Sequence, residues 1–431
     1  MWHLRRLCFA SVCLVSVVGQ AQEPTPKYIS VEDAKNYAIR NNFGIQALKA
    51  EVTAQDAAVA VSRSSLLPTI GIAGGVDVEG SAGQRETAPL SYVYGRMNLF
   101  NGFADHNEQR KNVALKEISE SRYRQAVTEL KLEVEKFFYN YLLKKQFIQF
   151  YDEALALNEK HLSAVRRRKA SGLVSDSDLM DFELRKSFLN SEITKTRQEL
   201  AEIKLNLVRT MGPELGLAFE PKGSLPHWHL EGNVDSYLSQ VKEYSEAIAQ
   251  AGLTFETALA QLNAARSGWF PKIDVEARFG ALPLDERFND NATSYSAGVV
   301  ASWDLFSGFQ TTAQTRKAEA ELLREELMAK QTLLTVMAGV ETSIRKLQSI
   351  TTRVDQERDN EGRAQRLYKS TLAEFGRGVK NGADMKAAEE SWLEAKTRRA
   401  ELISEFITTR IEIERTYGIP VKVTQMDEHH K

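Results

Sequence analysis

The sequence predicts a mainly α chain with a membrane β-sheet: four strands per copy, closed by three copies into a trimeric 12-stranded barrel and continued by a long α-helical coiled-coil barrel. Three observations predict it. The chain is a tandem duplication, each half carries two period-two strands of bilayer-crossing length, and each strand pair runs directly into an uninterrupted heptad-patterned helix.

At the N-terminus, His3, Arg5 and Arg6 precede an apolar run from Leu7 to Val18 and the small-residue stretch Gly19-Gln20-Ala21. That order is a secretory signal over residues 1–21, because the apolar run falls short of the roughly 20 residues a spanning helix needs. Cys8 and Cys13 both lie inside it, so the mature chain has no thiol for a disulfide or a metal. Val12 argues against Cys13 becoming a lipidated N-terminus. Lys plus Arg (56) nearly balances Asp plus Glu (58), which gives no broad basic surface for nucleic acid. No mature segment is long and apolar enough to cross a bilayer as a helix, so any crossing must use a barrel.

The duplication is read from motifs. Ser62-Arg63-Ser64-Ser65-Leu66-Leu67-Pro68 recurs as Ala265-Arg266-Ser267-Gly268-Trp269-Phe270-Pro271, and Asn98-Leu99-Phe100-Asn101-Gly102-Phe103 as Asp304-Leu305-Phe306-Ser307-Gly308-Phe309. Arg209-Thr210-Met211-Gly212 recurs as Arg415-Thr416-Tyr417-Gly418, at an offset of about 206 residues. The expected order is therefore N-terminal helices over 22–67, strands over 68–102, a long helical hairpin over 103–211, and a Pro/Gly-rich equatorial linker over 212–233. The second half repeats it with a helix over 234–270, strands over 271–308 and a hairpin over 309–418, then a tail over 419–431.

Between Pro68 and Gly80, Ile70, Ile72, Val76 and Val78 share one face; Ile273, Val275, Ala277 and Phe279 oppose Lys272, Asp274, Glu276 and Arg278. From Thr293 to Leu305 the alternation continues with Tyr295, Ala297, Val299, Ala301, Trp303 and Leu305. The stretch from Leu90 to Phe100 is less clean, because Tyr92 and Tyr94 oppose Val93, Met97 and Leu99. Period two fits a soluble sheet equally well. Charges on the polar face and Phe100, Phe270, Trp303 and Phe306 near the strand ends favour a watery lumen and an aromatic girdle. An open four-stranded sheet in lipid would leave its edges unpaired, so other copies must close it. Two copies give a barrel filled by side chains, whereas three give twelve strands and a channel.

After Asn101-Gly102 nothing interrupts a helix from Ala104 to Ser171. Tyr123, Val127, Leu130, Val134, Phe137, Tyr141, Ile148, Tyr151 and Leu155 recur at intervals averaging about 3.5, the signature of a left-handed coiled coil. Leu189, Ile193, Leu200, Ile203 and Leu207 continue it on the return helix, and Leu323, Leu327, Leu334, Met337, Ile344 and Leu347 repeat it in the second half. At 1.5 Å per residue the first helix would span about 100 Å, the scale of a periplasm.

The duplicated lead-ins to Pro68 and Pro271, the two Leu-Phe-x-Gly-Phe strand exits, the Gly172-Leu173-Val174 turn and the opening Ser30-Val31-Glu32-Asp33-Ala34 with Asn41-Asn42 resemble TolC-like outer-membrane efflux proteins over nearly the whole mature chain. The resemblance implies a trimer in the Gram-negative outer membrane with its helical barrel in the periplasm. It also implies two partners, a periplasmic adaptor protein and an inner-membrane transporter, for drug efflux or type I secretion. No nucleotide-binding loop, catalytic constellation or cofactor site is read from the chain, so no enzyme is expected. The rival reading is a secreted structural coiled coil with a soluble β collar.

By the same resemblance the helical tips form a gate. Asp178 and Asp384 match acidic pore positions; Lys380 stands where an Arg is common, and Ala387 where a second acid is seen. Lys380 is expected to pair with Asp178, although both aspartates also suit the first turns of the returning helices. Gly172, Leu173, Val174, Gly378 and Val379 match adaptor-docking turns, or are plain glycine turns between helices. The basic run from Arg166 to Lys169 reads as a solvated helix end. His227-Trp228-His229 has a chelating spacing but no third ligand nearby in sequence, so no metal is expected.

Overall fold

The computed structural model describes residues 28–81, 84–171, 175–212, 219–281 and 294–425. The leader at 1–21 and the turn Gly172-Leu173-Val174 lie outside them. Strand β1 (Tyr28–Ile29) leads into α1 (Val31–Asn41) and α2 (Phe43–Ser64). Strands β2 (Thr69–Ser81) and β3 (Gln84–Phe100) follow, then the hairpin of α3 (Ala104–Ala170) and α4 (Asp176–Met211). The linker holds β4 (Glu220–Pro221) and β5 (Trp228–Leu230). The second half runs through α5 (Val234–Tyr244), α6 (Glu246–Arg266), β6 (Lys272–Ala281), β7 (Ser294–Ser302), α7 (Gln310–Gly376) and α8 (Gly382–Tyr417), and β8 (Val423–Gln425) ends it. Both long helices have 67 residues, hence about 100 Å each.

The helices expected over 22–67 are α1 and α2, and the single helix expected over 234–270 is likewise two, α5 and α6. Asn42 stops α1: its side-chain oxygen accepts the Ile45 N–H at 3.2 Å while its amide donates to the Thr210 carbonyl at 3.1 Å. The linker and tail are also more ordered than their composition suggests, since β1 pairs with β4 and β5 with β8. These two small sheets girdle the middle of the hairpins. Two large cores meet there, one around Val134, Phe138, Leu207 and Met211, the other around Val340, Ile344, Phe406 and Ile411.

The main sheet has the order β2-β3-β6-β7, every pair antiparallel. Its register aligns Ile72, Val93, Phe279 and Tyr295 in one row, and these side chains are 45–82% exposed in the single chain. Tyr92 and Tyr94, which made the second strand ambiguous, belong to the opposite, polar face with Arg278 and Glu276. The fourth strand stops at Ser302 rather than Leu305. Its neighbour β6 begins at Lys272, paired to Ser302, so β6 offers no residue opposite 303–305.

Each strand-to-helix passage makes the same left-handed step: Gly102 and Phe103 have φ 68° and 66°, Gly308 and Phe309 63° and 65°. A phenylalanine there costs about 1–2 kcal/mol relative to its preferred backbone. Edge-on packing against the preceding aromatic helps hold it, with centroids 5.3 Å apart for Phe100–Phe103 and again for Phe306–Phe309. Among the described residues, no helix is long and apolar enough to cross a membrane.

Candidate functional site

Two regions bear on function: the polar face of the sheet and the helical tips. On the sheet, β3 and β6 bring Arg96 to Glu276 at 2.7 Å, Arg278 to Glu276 at 3.1 Å and Asn98 to Asp274 at 2.9 Å. The Arg278 guanidinium lies 5.9 Å from the Tyr92 ring centroid. A hydrated surface of mixed charge thus backs an apolar one, as a water-filled barrel in lipid requires.

At the tips, the ends of α3 and α7 meet the starts of α4 and α8 around Leu162, Val165, Phe182, Tyr368, Phe375 and Met385. Asp178 and Asp384 are capping-box residues. Ser175 Oγ accepts the Asp178 N–H at 3.2 Å while Asp178 accepts the Ser175 N–H at 3.3 Å. Asn381 and Asp384 repeat the exchange at 2.8 and 3.3 Å. The helix caps are therefore Ser175 and Asn381, with each aspartate three residues on.

The expected Lys380–Asp178 pair is not what forms in the chain: Lys380 Nζ lies 3.9 Å from Asp384, one turn along its own segment. Asp178 instead packs on Gly382, where a Cβ would come within 2.9 Å of its carboxylate oxygen. Gly378 (φ 79°) closes α7 in a Schellman turn, with the Val379 N–H donating to the Glu374 carbonyl at 3.0 Å. The turn leaves Val379 69% exposed at the extremity.

Several tip residues were missed in the sequence. Arg168, read as solvated, reaches across to cap the other long helix, donating to the Phe375 and Gly376 carbonyls at 3.1 and 3.0 Å with its guanidinium over the Phe375 ring. Lys386 pairs with Asp181 at 3.5 Å, and buried Arg185 lies 3.2 Å from Glu390 and 3.8 Å from Glu389. The duplication offers one clue to Arg168, since it places the ends of α3 and α7 in equivalent positions; nothing local marks Arg185 or Glu389.

Glu389 is 2% exposed, and its carboxyl is pushed up to about 7 by burial and by Glu390, against the opposing Arg185 cation. The folded protein thus binds this proton more tightly than the unfolded chain does, so stability is full at low pH and falls as pH rises through the window from the ordinary carboxylate value to about 7. The loss is about 3 kcal/mol per chain from that shift. Glu389→Gln is expected to flatten this slope: melting temperatures of the detergent-solubilised protein at about pH 5 and about pH 8 should differ less in the variant than in the parent. An unchanged difference would refute the assignment.

A duplicated chain that supplies a half-wet, half-apolar open sheet and two 100 Å helical hairpins on a common path is a subunit of a membrane-anchored conduit. Comparison with known proteins names the group. Residues 36–212 and 237–418 match the outer membrane efflux protein family, and the chain belongs to that family. It is similar to the proteases secretion protein PrtF of Dickeya chrysanthemi, 19% identical over 94% of this chain and 91% of that one. Its fold matches the outer membrane protein VceC of Vibrio cholerae, with TM-score 0.79, 15% identity, and 90% of this chain and 96% of that one covered. A membrane protein from Pseudomonas aeruginosa gives TM-score 0.79 at 18% identity, covering 90% of each chain. The protein is an outer-membrane exit duct, and the rival reading of a soluble structural coiled coil falls with that membership.

Proposed function

We propose that the chain works as a homotrimer, receiving substrate at the helical tips from a periplasmic adaptor and an inner-membrane transporter and releasing it beyond the outer membrane. The observation that carries the trimer is a pair of matching open edges. Met97 to Phe100 pair with β6 inside the chain, but their repeats, Trp303 to Phe306, have no strand partner among the described residues. The outer edge of β2 is equally bare, and in the helical layer α7, at the β7 end of the packed series α2-α3-α6-α7, leaves Leu323, Leu327 and Leu334 of its stripe 55–68% exposed. A neighbouring copy satisfies both at once.

The duplication supplies the register. The β3–β6 pairing of Val93 with Phe279 translates, through the repeat, into Val299 of one copy opposite Val76 of the next, apolar against apolar. The double variant Val76→Cys, Val299→Cys is therefore expected to oxidise to a covalent trimer in outer-membrane preparations that still conducts ions in planar bilayers. A monomer or dimer limit after full oxidation would overturn the trimer and its register.

The tips are the proposed control point. Three copies of Asp384 near an axis would favour cations, and exposed Val379 beside the Gly378 turn suits an adaptor contact, with Gly172, Leu173 and Val174 as the matching turn of the first half. Asp178 and Lys380 complete the proposed gate. Asp384→Asn should lower cation preference in reversal-potential measurements, and Val379→Asp should reduce crosslinking to the adaptor; two variants indistinguishable from the parent would remove the tip from the account. The near full-length similarity to a protease secretion protein supports protein export as the cargo class.

A further inference from the structure

The linker between the repeats plays no part in the conduit described above, yet one group of side chains able to share an ion sits there among the described residues. We propose that His227, His229 and Asp355 form a binding site for a late first-row divalent cation, with Zn²⁺ as its probe, that pins linker strand β5 to the middle of the long helix α7. The ion is recognised by two imidazoles and one carboxylate, a donor set that suits zinc-like metals rather than the oxygen-seeking calcium or magnesium.

The sequence showed only half of this set. On an extended segment, alternate residues share a face, so His227 and His229 point one way while Trp228 points the other, its ring 4.6 Å from the Arg410 guanidinium. Helix α7, more than a hundred residues on, delivers Asp355 to the histidine side. One ligand atom from each of the three lies within 4.8 Å of the others, and His229 Nε2 is 3.2 Å from Asp355 Oδ2. A tetrahedral ion with bonds of about 2.0 Å separates its ligands by about 3.3 Å, so one pair is already at the required spacing and side-chain rotation brings in the third.

A second observation is independent of that spacing. His227 is 93% buried by its 7% exposure, and its Nε2 has no hydrogen-bond partner; Asp355 Oδ1 is buried and accepts no hydrogen bond either, with only the Arg358 cation 4.0 Å away. A buried ring nitrogen left without a partner beside a second imidazole and a carboxylate calls for something to satisfy it.

Two cations oppose an incoming ion. Arg399 is held by Glu361 at 3.1 Å, and Arg358, 4.0 Å from Asp355, is about half exposed and can turn out into water. His227 also lines a groove of about 700 Å³ with Glu361, Arg399 and Gln425, which gives an ion a way in.

The test is calorimetric titration of ZnCl₂ into the untagged, detergent-solubilised full-length protein, with His429→Ala and His430→Ala in every sample to silence the tail. One ion per chain is expected, with X-ray absorption of the loaded protein showing two imidazoles. His229→Ala should weaken binding about 100-fold or more and Asp355→Asn at least about 10-fold, since even supporting residues around metals cost that much. His106→Ala on α3 should change nothing. Each variant is checked for its intact oligomer, and Asp355→Asn, which keeps side-chain shape, carries the test if His229→Ala fails to assemble. Fewer than one ion per chain, or parental affinity in both ligand variants, would mean that the cluster is only an ion pair and would overturn the site.

Discussion

Arg410→Met is expected to destabilise the chain by about 3–5 kcal/mol, as breaking a buried ion pair by removing one partner does. Arg410 of α8 is 9% exposed and joins Glu135 of α3, in the other repeat, which is 5% exposed. It also meets Glu414 at 3.3 Å and covers the Trp228 ring. Glu135 has a second cation, Lys35 of α1 at 2.7 Å, and Glu414 accepts the Val421 N–H at 3.1 Å. One guanidinium therefore ties both halves, the linker and the tail. Its loss leaves Glu135 to Lys35 alone and uncovers the indole.

Because membrane oligomers of this size commonly unfold irreversibly, the readout is the rate at which the oligomer is lost at fixed temperature in detergent. Arg410→Lys should recover part of the loss, lacking the fork that meets two carboxylates. Adding Glu135→Gln to Arg410→Met should recover more, since it removes the stranded charge. Parental decay rates in Arg410→Met would show that the network is ornamental.

The second large effect separates the two faces of the sheet. Phe279→Arg places a charge on the apolar row with Val93 and Tyr295, at an expected cost that rises with its depth in the lipid to about 2–4 kcal/mol per chain, incurred three times in a trimer. Arg278→Ala, one residue away on the polar face, should leave assembly intact and change conductance, because it removes one of the two cations beside Glu276. Outer-membrane yield of the heat-modifiable oligomer decides between them. Equal yields for the two variants would contradict the assignment of faces, and loss of Arg278→Ala alone would reverse it.

What the residues determined by themselves is whatever is written in contiguous periodicity. Alternation at Ile273 to Phe279 specifies a strand face, the heptad from Tyr123 to Leu155 specifies a helix that ends where expected at Ala170, and the repeated Leu-Phe-x-Gly-Phe exits specify two equivalent joins. Bare strand edges then demand other copies. Each of these follows from backbone geometry acting over a few neighbouring residues.

Tertiary structure decided the pairings between residues far apart in the chain. Tyr92 and Tyr94 looked like flaws in a strand until the register with Arg278 put them on the wet face. Lys380 meets Asp384 rather than Asp178, whose carboxylate is taken up by its own cap at Ser175 and by packing on Gly382. Arg410 with Glu135, Arg185 with Glu389, and Asp355 with His227 and His229 join residues that only the packing of distant segments brings together. Charged side chains carry no periodic signal of their partners; a lysine or glutamate on a long helix reads as solvated surface until a second helix covers it. The conduit was therefore legible in the sequence, and its clamps and its candidate metal site were not.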